Sequence, residues 1–555
     1  MSDRKIWGTL DPFLEGGRMG RTVANREFLR ALLRVDPCDE YHFFVADRAQ
    51  QRALSRNLER QWPELWSANR FVVSTRARLP RALKTTDFHC FHLSDCITSQ
   101  PHLARMRNAL SGRIFPITGV THSLSYVRYG RELAAHLWPG CTARDCIAAT
   151  STTAVEVLRR WFAHLRDGLG LGETTYPGPR LEVVPLGVDC RAMRPPDDEA
   201  RAKARRRWKL GRRRMILVFA RLSHQSKMDL LPVMHMVRRL LAAGVEADSM
   251  RLCFAGAKEE KGNSAETLLN LGRNLGLDCQ VVENPDEGTK ADLYRAADVF
   301  LSPVDNLQET FGLTVLEAGA FGLPCVVSDF DGYRDLVVHG ETGFLTPTLG
   351  PAATPDVDVL APLIFDSHYH MLLAQQTVVD VAAMAEQVRR LLDDETLRRD
   401  MGRASRRRVE QRFTWDAMAA RLAEVWNGLW REPVDEDAAR EARHPLHVPY
   451  GRVFGGYPTA ALDPESLLCW SAAGEAVYRG REFPVMYPQV GQLVDAERLK
   501  RLVFFARKPL TVAKLMEKFM RSETLGTDDA RFHVLWALKQ DLLESVPDAG
   551  ESDTN

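Results

Sequence analysis

The chain has 555 residues, 45% of them hydrophobic and 26% charged, with 74 Lys and Arg against 73 Asp and Glu for a formal charge of +1. That length exceeds one ordinary core, so two or three domains are expected. The balanced charge excludes a global field drawing the protein onto nucleic acid or membrane.

The N-terminal "MSDRKIWGTLDPFLEGGRMG" has no apolar signal region, and no apolar run is long enough to span a bilayer. Ten scattered cysteines without a CxxC pair fit a reducing cytoplasm better than a disulfide frame or a zinc site. The first motif is "LEGGRMGRTVANREF", a Gly-rich turn between a strand and a helix. Gly16, Gly17 and Gly20 can bring backbone amides close to a phosphate; a simple turn is the plainer reading. "YHFFVA" (41–46), "GRIFPITGVTH" (112–122), "CIAATS" (146–151) and "LEVVPLGVD" (181–189) read as strands. "ANREFLRALLRV" and "TAVEVLRRWF" read as helices, the second with Thr153 and Glu156 at capping-box spacing. His122 ends a strand, a place where a lone histidine is more often packed than functional. Strand–helix alternation implies parallel sheets covered on both faces.

The pattern pauses at "MRPPDDEARAKARRRWKLGRRR" (193–214), then restarts with "MILVFARL" (215–222), "MRLCFAGA" (250–257), "CQVVEN" (279–284), "ADVFLSP" (297–303), "PCVVSD" (324–329) and "GFLTP" (343–347). Two long helical patterns follow, and a charged break lies at 431–444. The expected division is 1–195 and 196–430 as two Rossmann-like domains, 431–495 as an irregular extension, and 496–555 as a helical module. In the module, "AERLKRLVFFAR", "TVAKLMEKFM" and "DDARFHVLWALKQDLLE" have the apolar spacing of a small winged-helix-like unit. Its mixed charges present no phosphate-tracking surface, so no nucleic-acid partner is expected; packing, oligomerisation or a protein partner are its readings. The basic run at 201–214 reads as a solvated surface helix, with peripheral contact to anionic lipid at the inner membrane face as the alternative.

The chemistry concentrates in "NLQETFGLTVLEAGAFGLPCVVS" (306–328), where Glu309 and Glu317 bracket a glycine at a helix start. After a strand ending near Pro303, Glu309 falls in the loop over the carboxyl edge of the sheet, where open α/β sheets bind ligands. Gly312 permits close backbone approach. The amides of Phe311, Gly312, Leu313 and Thr314, at the start of the helix, suit an anion such as a pyrophosphate. Glu317, acceptor-only when ionised, suits the hydroxyl pair of a ribose, and Glu309 the hydroxyls of a sugar beyond the phosphates. In "FARLSHQSKMDLL", Arg221 and Lys227 follow a strand of the same domain and would neutralise phosphate oxygens.

Together, in this order, these pieces resemble the retaining glycosyltransferases of the GT-B fold, family GT4, over residues 1 to about 430. The most specific part is "QETFGLTVLEAGAFGLPCVVSDFDGYRDLVVHGETGFLTP"; "VVPLGVD" and "ARLSHQSK" are also similar to family segments. The resemblance implies a nucleotide-diphosphosugar donor and an acceptor hydroxyl. It places Glu309 at the transferred sugar, Glu317 at the ribose, and Arg221 and Lys227 at the diphosphate. It also implies amides of Phe311, Gly312 and Leu313 lining the site, Gly16 and Gly17 near the phosphate, and His122 near the donor sugar. Asp331 stands where the family usually has glycine, and Asp335 where glutamate is common. No metal or other cofactor is expected. The competing readings are a GT-B phosphorylase or synthase acting on a glycan, and a GT-B shell that acts as a binding or regulatory protein through its C-terminal module.

Overall fold

The computed structural model describes residues 4–14, 20–258, 264–364, 366–487 and 490–546. Seven strands form the first sheet: β1 (Ile6–Thr9), β2 (Glu40–Val45), β3 (Phe71–Thr75), β4 (Cys90–Leu93), β5 (Ile117–Val120), β6 (Asp145–Ala149) and β7 (Arg180–Val183). Their order is β3-β2-β1-β4-β5-β6-β7, parallel at every pairing. Six form the second: β8 (Arg214–Phe219), β9 (Met250–Gly256), β10 (Asp278–Glu283), β11 (Val299–Ser302), β12 (Cys325–Ser328) and β13 (Gly343–Thr346). Their order is β10-β9-β8-β11-β12-β13, again parallel throughout. Helices cover both faces, so central strands such as "MILV" in β8 and "VFL" in β11 are buried on both sides and are apolar at successive positions. In both sheets the order reverses beside the first strand, which opens a crevice at the carboxyl ends. This is the expected pair of Rossmann-like domains, the GT-B arrangement.

The chain crosses between the domains twice, and the two crossings lie side by side. The Val188 amide donates to Phe413 O at 2.9 Å, and a Cβ on Gly187 would stand 2.3 Å from the Trp415 nitrogen. The returning helix, Trp415–Leu429, packs on the Gly20–Val35 helix of the first domain. Trp426 Nε1 donates to Thr118 Oγ1 at 2.9 Å, and Trp430 Nε1 to His89 O at 2.8 Å. Arg440 holds Ser111 O at 2.6 Å, and His444 Nε2 lies 2.9 Å from Ala135 O. Residues 415–444 therefore pack on the first domain, although sequence order places them in the second domain and its extension. Two indole N–H groups that would otherwise be buried without acceptors find them on β5 and just before β4.

One local expectation is corrected and another refined. The helix Thr152–Leu169 is capped by Ser151, whose hydroxyl accepts from Ala154 N at 3.0 Å, not by a Thr153/Glu156 box. Glu156 instead pairs with Arg160 at 2.8 Å. The basic run stays on the surface, with Lys203, Arg206, Arg207, Lys209 and Arg212 exposed, but part of it is engaged: buried Asp298 accepts Arg201 at 2.8 Å, Arg205 at 2.9 Å and the Met215 amide at 2.8 Å. Arg207 meets Asp292 at 2.5 Å, and Arg213 pairs with Asp278. Arg201, Arg205, Arg207 and Arg213 thus pair with the second domain's own acids.

Between β13 and the helix Val381–Asp393, residues 348–379 build an antiparallel ladder, Thr348–Leu349 with Val378–Val379, and the helices Pro355–Leu360 and Asp366–Ala374. No helical pattern was read there. The described residues from 447 to 546 form a separate compact unit. Its antiparallel sheet has Leu467–Trp470 between Leu510–Thr511 and Leu543–Ser545. The helices Ala496–Phe505, Val512–Glu523 and Thr527–Lys539 bury Leu499, Leu515, Phe519 and Val534 against it, which agrees with the winged-helix-like reading. Its central strand and the helix Ala472–Tyr478 arise inside 431–495, so that stretch is not irregular throughout. No described helix is long and apolar enough to cross a membrane.

Gly187→Val is expected to destabilise the protein by about 3 kcal/mol, because the added carbons meet backbone that cannot rotate aside. Gly168→Ala, on an open helix surface with nothing near its Cβ, is expected to be neutral or stabilising by about 1 kcal/mol. Denaturant unfolding of both proteins measures the contrast.

Candidate active site

After β11 the chain turns over the carboxyl edge of the second sheet and reaches Glu309. One carboxylate oxygen accepts the amides of Thr310 and Phe311, each at 3.2 Å. The other takes the Lys227 ammonium, with the Tyr333 hydroxyl 3.5 Å away and itself 2.8 Å from Ser302 Oγ. Burial alone would raise the Glu309 carboxyl. The charge and hydrogen bond of Lys227, with the two amides, more than offset it and hold the group below its ordinary value, hence ionised. The Phe311 amide is therefore committed to Glu309, a correction to its expected place in an anion cradle. The amides of Gly312, Leu313 and Thr314 remain ahead of the first bond of the Leu313–Ala320 helix, in which Val315 N donates to Gly312 O at 3.0 Å. Gly312 has φ 104°, and a Cβ there would stand 2.3 Å from the Tyr333 ring, so only glycine fits.

Glu317 lies on the same helix, nearly buried. Its two oxygens take Lys290 Nζ at 2.6 Å and the Tyr294 hydroxyl at 3.0 Å. Lys290 sits over the Phe219 ring at 5.5 Å, and Tyr294 stacks on Phe321 with centroids 5.2 Å apart. Burial, then the charge of Glu317, pushes the Tyr294 phenol well up, so it stays a donor.

The loop after β8 carries Arg221, exposed and bonded to Ser226 Oγ at 2.9 Å, and Lys227. This loop is stitched to the Glu309 loop. Asn306 Nδ2 donates to Gln225 O at 3.0 Å, and the Asp229 amide to both Asp305 oxygens at 3.2 and 3.3 Å. Burial, with Asp229 nearby, pushes Asp305 up to about 7.

His122 follows β5 in the first domain, with Nε2 2.8 Å from Ser94 O. Burial, then the charge of Arg21, lowers it to about 4, so at neutral pH it is an uncharged imidazole. Its recorded hydrogen bond stays within its own domain. Gly16 and Gly17 lie outside the described residues.

The carboxyl edges of the two sheets are joined directly. Thr152 donates its amide and its hydroxyl to the two Asp335 oxygens at 2.6 Å each, and Thr153 Oγ1 donates to Asp331 O at 3.2 Å. From the 348–379 segment, the Tyr369 hydroxyl reaches Ser125 O at 2.9 Å. His370 lies 3.1 Å from Ser125 O and 2.9 Å from Gln308 Nε2.

Glu309, Glu317, Arg221, Lys227, Gly312 and Leu313 thus converge on one edge as expected. Lys290, Tyr294, Tyr333 and Ser302 were not foreseen. Lys290 and Tyr294 lie on a helix ending before β11, and nothing local to that helix marks their contact with Glu317. Among the described residues no cluster of three or more His, Cys, Asp or Glu is arranged to hold a metal.

Residues 200–353 match the family model for Glycosyl transferases group 1. A GDP-mannose-dependent alpha-(1-6)-phosphatidylinositol monomannoside mannosyltransferase of Mycobacterium tuberculosis is 29% identical over 276 residues, 48% of this chain and 58% of that protein. A D-inositol 3-phosphate glycosyltransferase of Streptomyces avermitilis is 30% identical over 285 residues, 50% of this chain and 51% of its own length. The chain thus spans about half the length of these curated relatives. A solved glycosyltransferase from Rickettsia africae superposes with a TM-score of 0.52 at 13% identity, covering 78% of this chain and all of its own, a likeness of fold.

Lys227→Met is expected to cost about 3–5 kcal/mol at neutral pH, because it leaves the Glu309 charge buried and unpaired. Adding Glu309→Gln should recover most of that loss. A double-mutant cycle by denaturant unfolding reads the coupling.

Proposed function

We propose that this chain, whose residues 200–353 form a group 1 glycosyl transferase domain, moves a hexose from a nucleotide-diphosphosugar to an acceptor hydroxyl with retention of anomeric configuration. The observation that carries this reading is the convergence of the ionised, lysine-paired Glu309, exposed Arg221 and the open amides of the 313–320 helix at one sheet edge. In this reading Glu317, oriented by Lys290 and Tyr294, accepts from the ribose hydroxyls. Arg221, Lys227 and the helix amides meet the diphosphate and stabilise the charge that grows on it as the glycosidic bond to phosphate breaks. Glu309 accepts from hydroxyls of the transferred sugar and is given no nucleophilic role. The acceptor is held by the first domain and attacks from the face the diphosphate leaves, while contact between the domains excludes water. His122, uncharged, borders the sugar from that side.

Positive charge from side chains and helix amides performs the role that a metal would otherwise have, so transfer is expected without a metal. The M. tuberculosis relative is named for GDP-mannose, which makes that donor the first to test. A binding-protein reading through residues 447–555 is less favoured, because it leaves the two paired carboxylates at the sheet edge without a task.

Incubation with GDP-, UDP- and ADP-sugars should give turnover of one donor class, at equal rates in EDTA and in magnesium. Arg221→Ala and Lys227→Ala should each lower kcat/KM about 100-fold or more. Wild-type rates in both variants would overturn the assignment of the leaving-group site. NMR of the product anomer should show retention, and an inverted product would remove the mechanism.

A further inference from the structure

The loop after β12 puts a carboxyl where the backbone favours none. Asp331 has φ 45°, in the left-handed region that an L side chain occupies at some cost. The loop is pressed onto the backbone that follows Glu309. A Cβ on Gly332 would stand 2.5 Å from Thr310 O and 2.8 Å from Phe311 Cα. From the first domain, Thr153 Oγ1 holds the Asp331 carbonyl at 3.2 Å, and Thr152 holds the Asp335 carboxylate. The backbone that carries Asp331 is thus held from both sides of the cleft. The adjacent Gly332 amide donates to its carboxyl.

Burial, then the charge of Glu309, pushes Asp331 up to about 8; the Gly332 amide and Arg334 oppose the shift, and Asp335 adds to it. The charged groups facing it are Glu309, itself paired with Lys227, and Arg334 and Asp335 on its own side; Thr152 and Thr153 across the cleft are uncharged. At neutral pH Asp331 therefore carries a proton and can donate, next to a Glu309 that can only accept.

Resting on the transferase reading, we propose that Asp331 is a specificity-determining residue for the transferred sugar, acting with Glu309 on two neighbouring hydroxyls of the ring. Asp331 donates to one hydroxyl oxygen, and Glu309 accepts the hydrogens of the pair. A donor lacking either hydroxyl forfeits one of these hydrogen bonds, which is how a polar pocket disfavours an analogue. Once Asp331 loses its proton, both carboxylates can only accept, and the match is lost.

The test measures binding of GDP and GDP-mannose, with UDP and UDP-glucose as a second pair, by calorimetry on the full chain. Wild type, Asp331→Gly and Asp331→Asn are compared from pH 6.5 to pH 9. Glycine suits the local φ, so that variant keeps the fold. The nucleoside diphosphate should bind all three proteins alike. The nucleotide sugar should bind Asp331→Gly about tenfold more weakly. The wild type should lose nucleotide-sugar affinity as pH rises through about 8. Asp331→Asn, a donor at every pH, should keep it. If the wild type takes a nucleotide sugar and Asp331→Gly takes it equally well, with the same pH profile, this assignment is overturned alone. A wild type that takes no nucleotide sugar overturns the transferase reading with it.

Discussion

The cleft between the two parallel sheets depends on how the two polypeptide crossings between them lie against each other. Gly187 has no side chain, and the backbone of Thr414 and Trp415 occupies the space one would need. This contact brings the outgoing and returning strands together at one point. The carboxyl ends of two independent parallel sheets can then face one cleft, and the loops at both edges meet. The returning helix reinforces the arrangement, because Trp426 and Trp430 carry their indole hydrogens to acceptors in the first domain. A helix made late in the chain thereby becomes part of the first domain's core.

Within the cleft, Glu309 and Glu317 are each buried together with a cation. Glu309 has Lys227 and two amides; Glu317 has Lys290 and a tyrosine hydroxyl. A buried carboxylate without such partners is pushed towards taking up a proton, and Asp331 and Asp305, which form no ion pair among the described residues, are shifted in that direction. The site therefore holds carboxylates tuned apart by their surroundings. Glu309 is held below its ordinary value beside Lys227, while Asp331, on the loop packed against the backbone after Glu309, is pushed above its own. That difference follows from which lysines reach which loop. In the proposed chemistry it lets chemically similar side chains bind hydroxyls with opposite hydrogen-bond polarity.

The segment 348–379 and the unit beginning at 447 are additions to this frame. The first touches the cleft, through Tyr369, His370 and Gln308, and so belongs to the site's wall. The second has its own sheet and its own core. Its central strand is only four residues long, Leu467–Trp470, in a Gly-, Pro- and Tyr-rich stretch. It is a strand because two later segments pair with it, which explains why its neighbourhood read as irregular.

The sequence by itself determined the two parallel sheets, because strands buried on both faces must be continuous apolar runs, and those runs stand out between amphipathic helices. It also determined the turn chemistry at Gly312 and the acids at 309 and 317, since a glycine at a helix start with flanking carboxylates is a local pattern. Tertiary structure alone decided the partners. Lys227 meets Glu309 across 82 residues, and Lys290 meets Glu317 across 27. Within the basic run at 201–214, Arg201 and Arg205 reach buried Asp298. Ser151 caps the helix where Thr153 was expected, leaving Thr153 to cross the cleft. Each of these is a contest among acceptors and donors in space. Spacing along the chain states which groups exist and which face they share, but only the packed sheets bring a particular ammonium to a particular carboxylate.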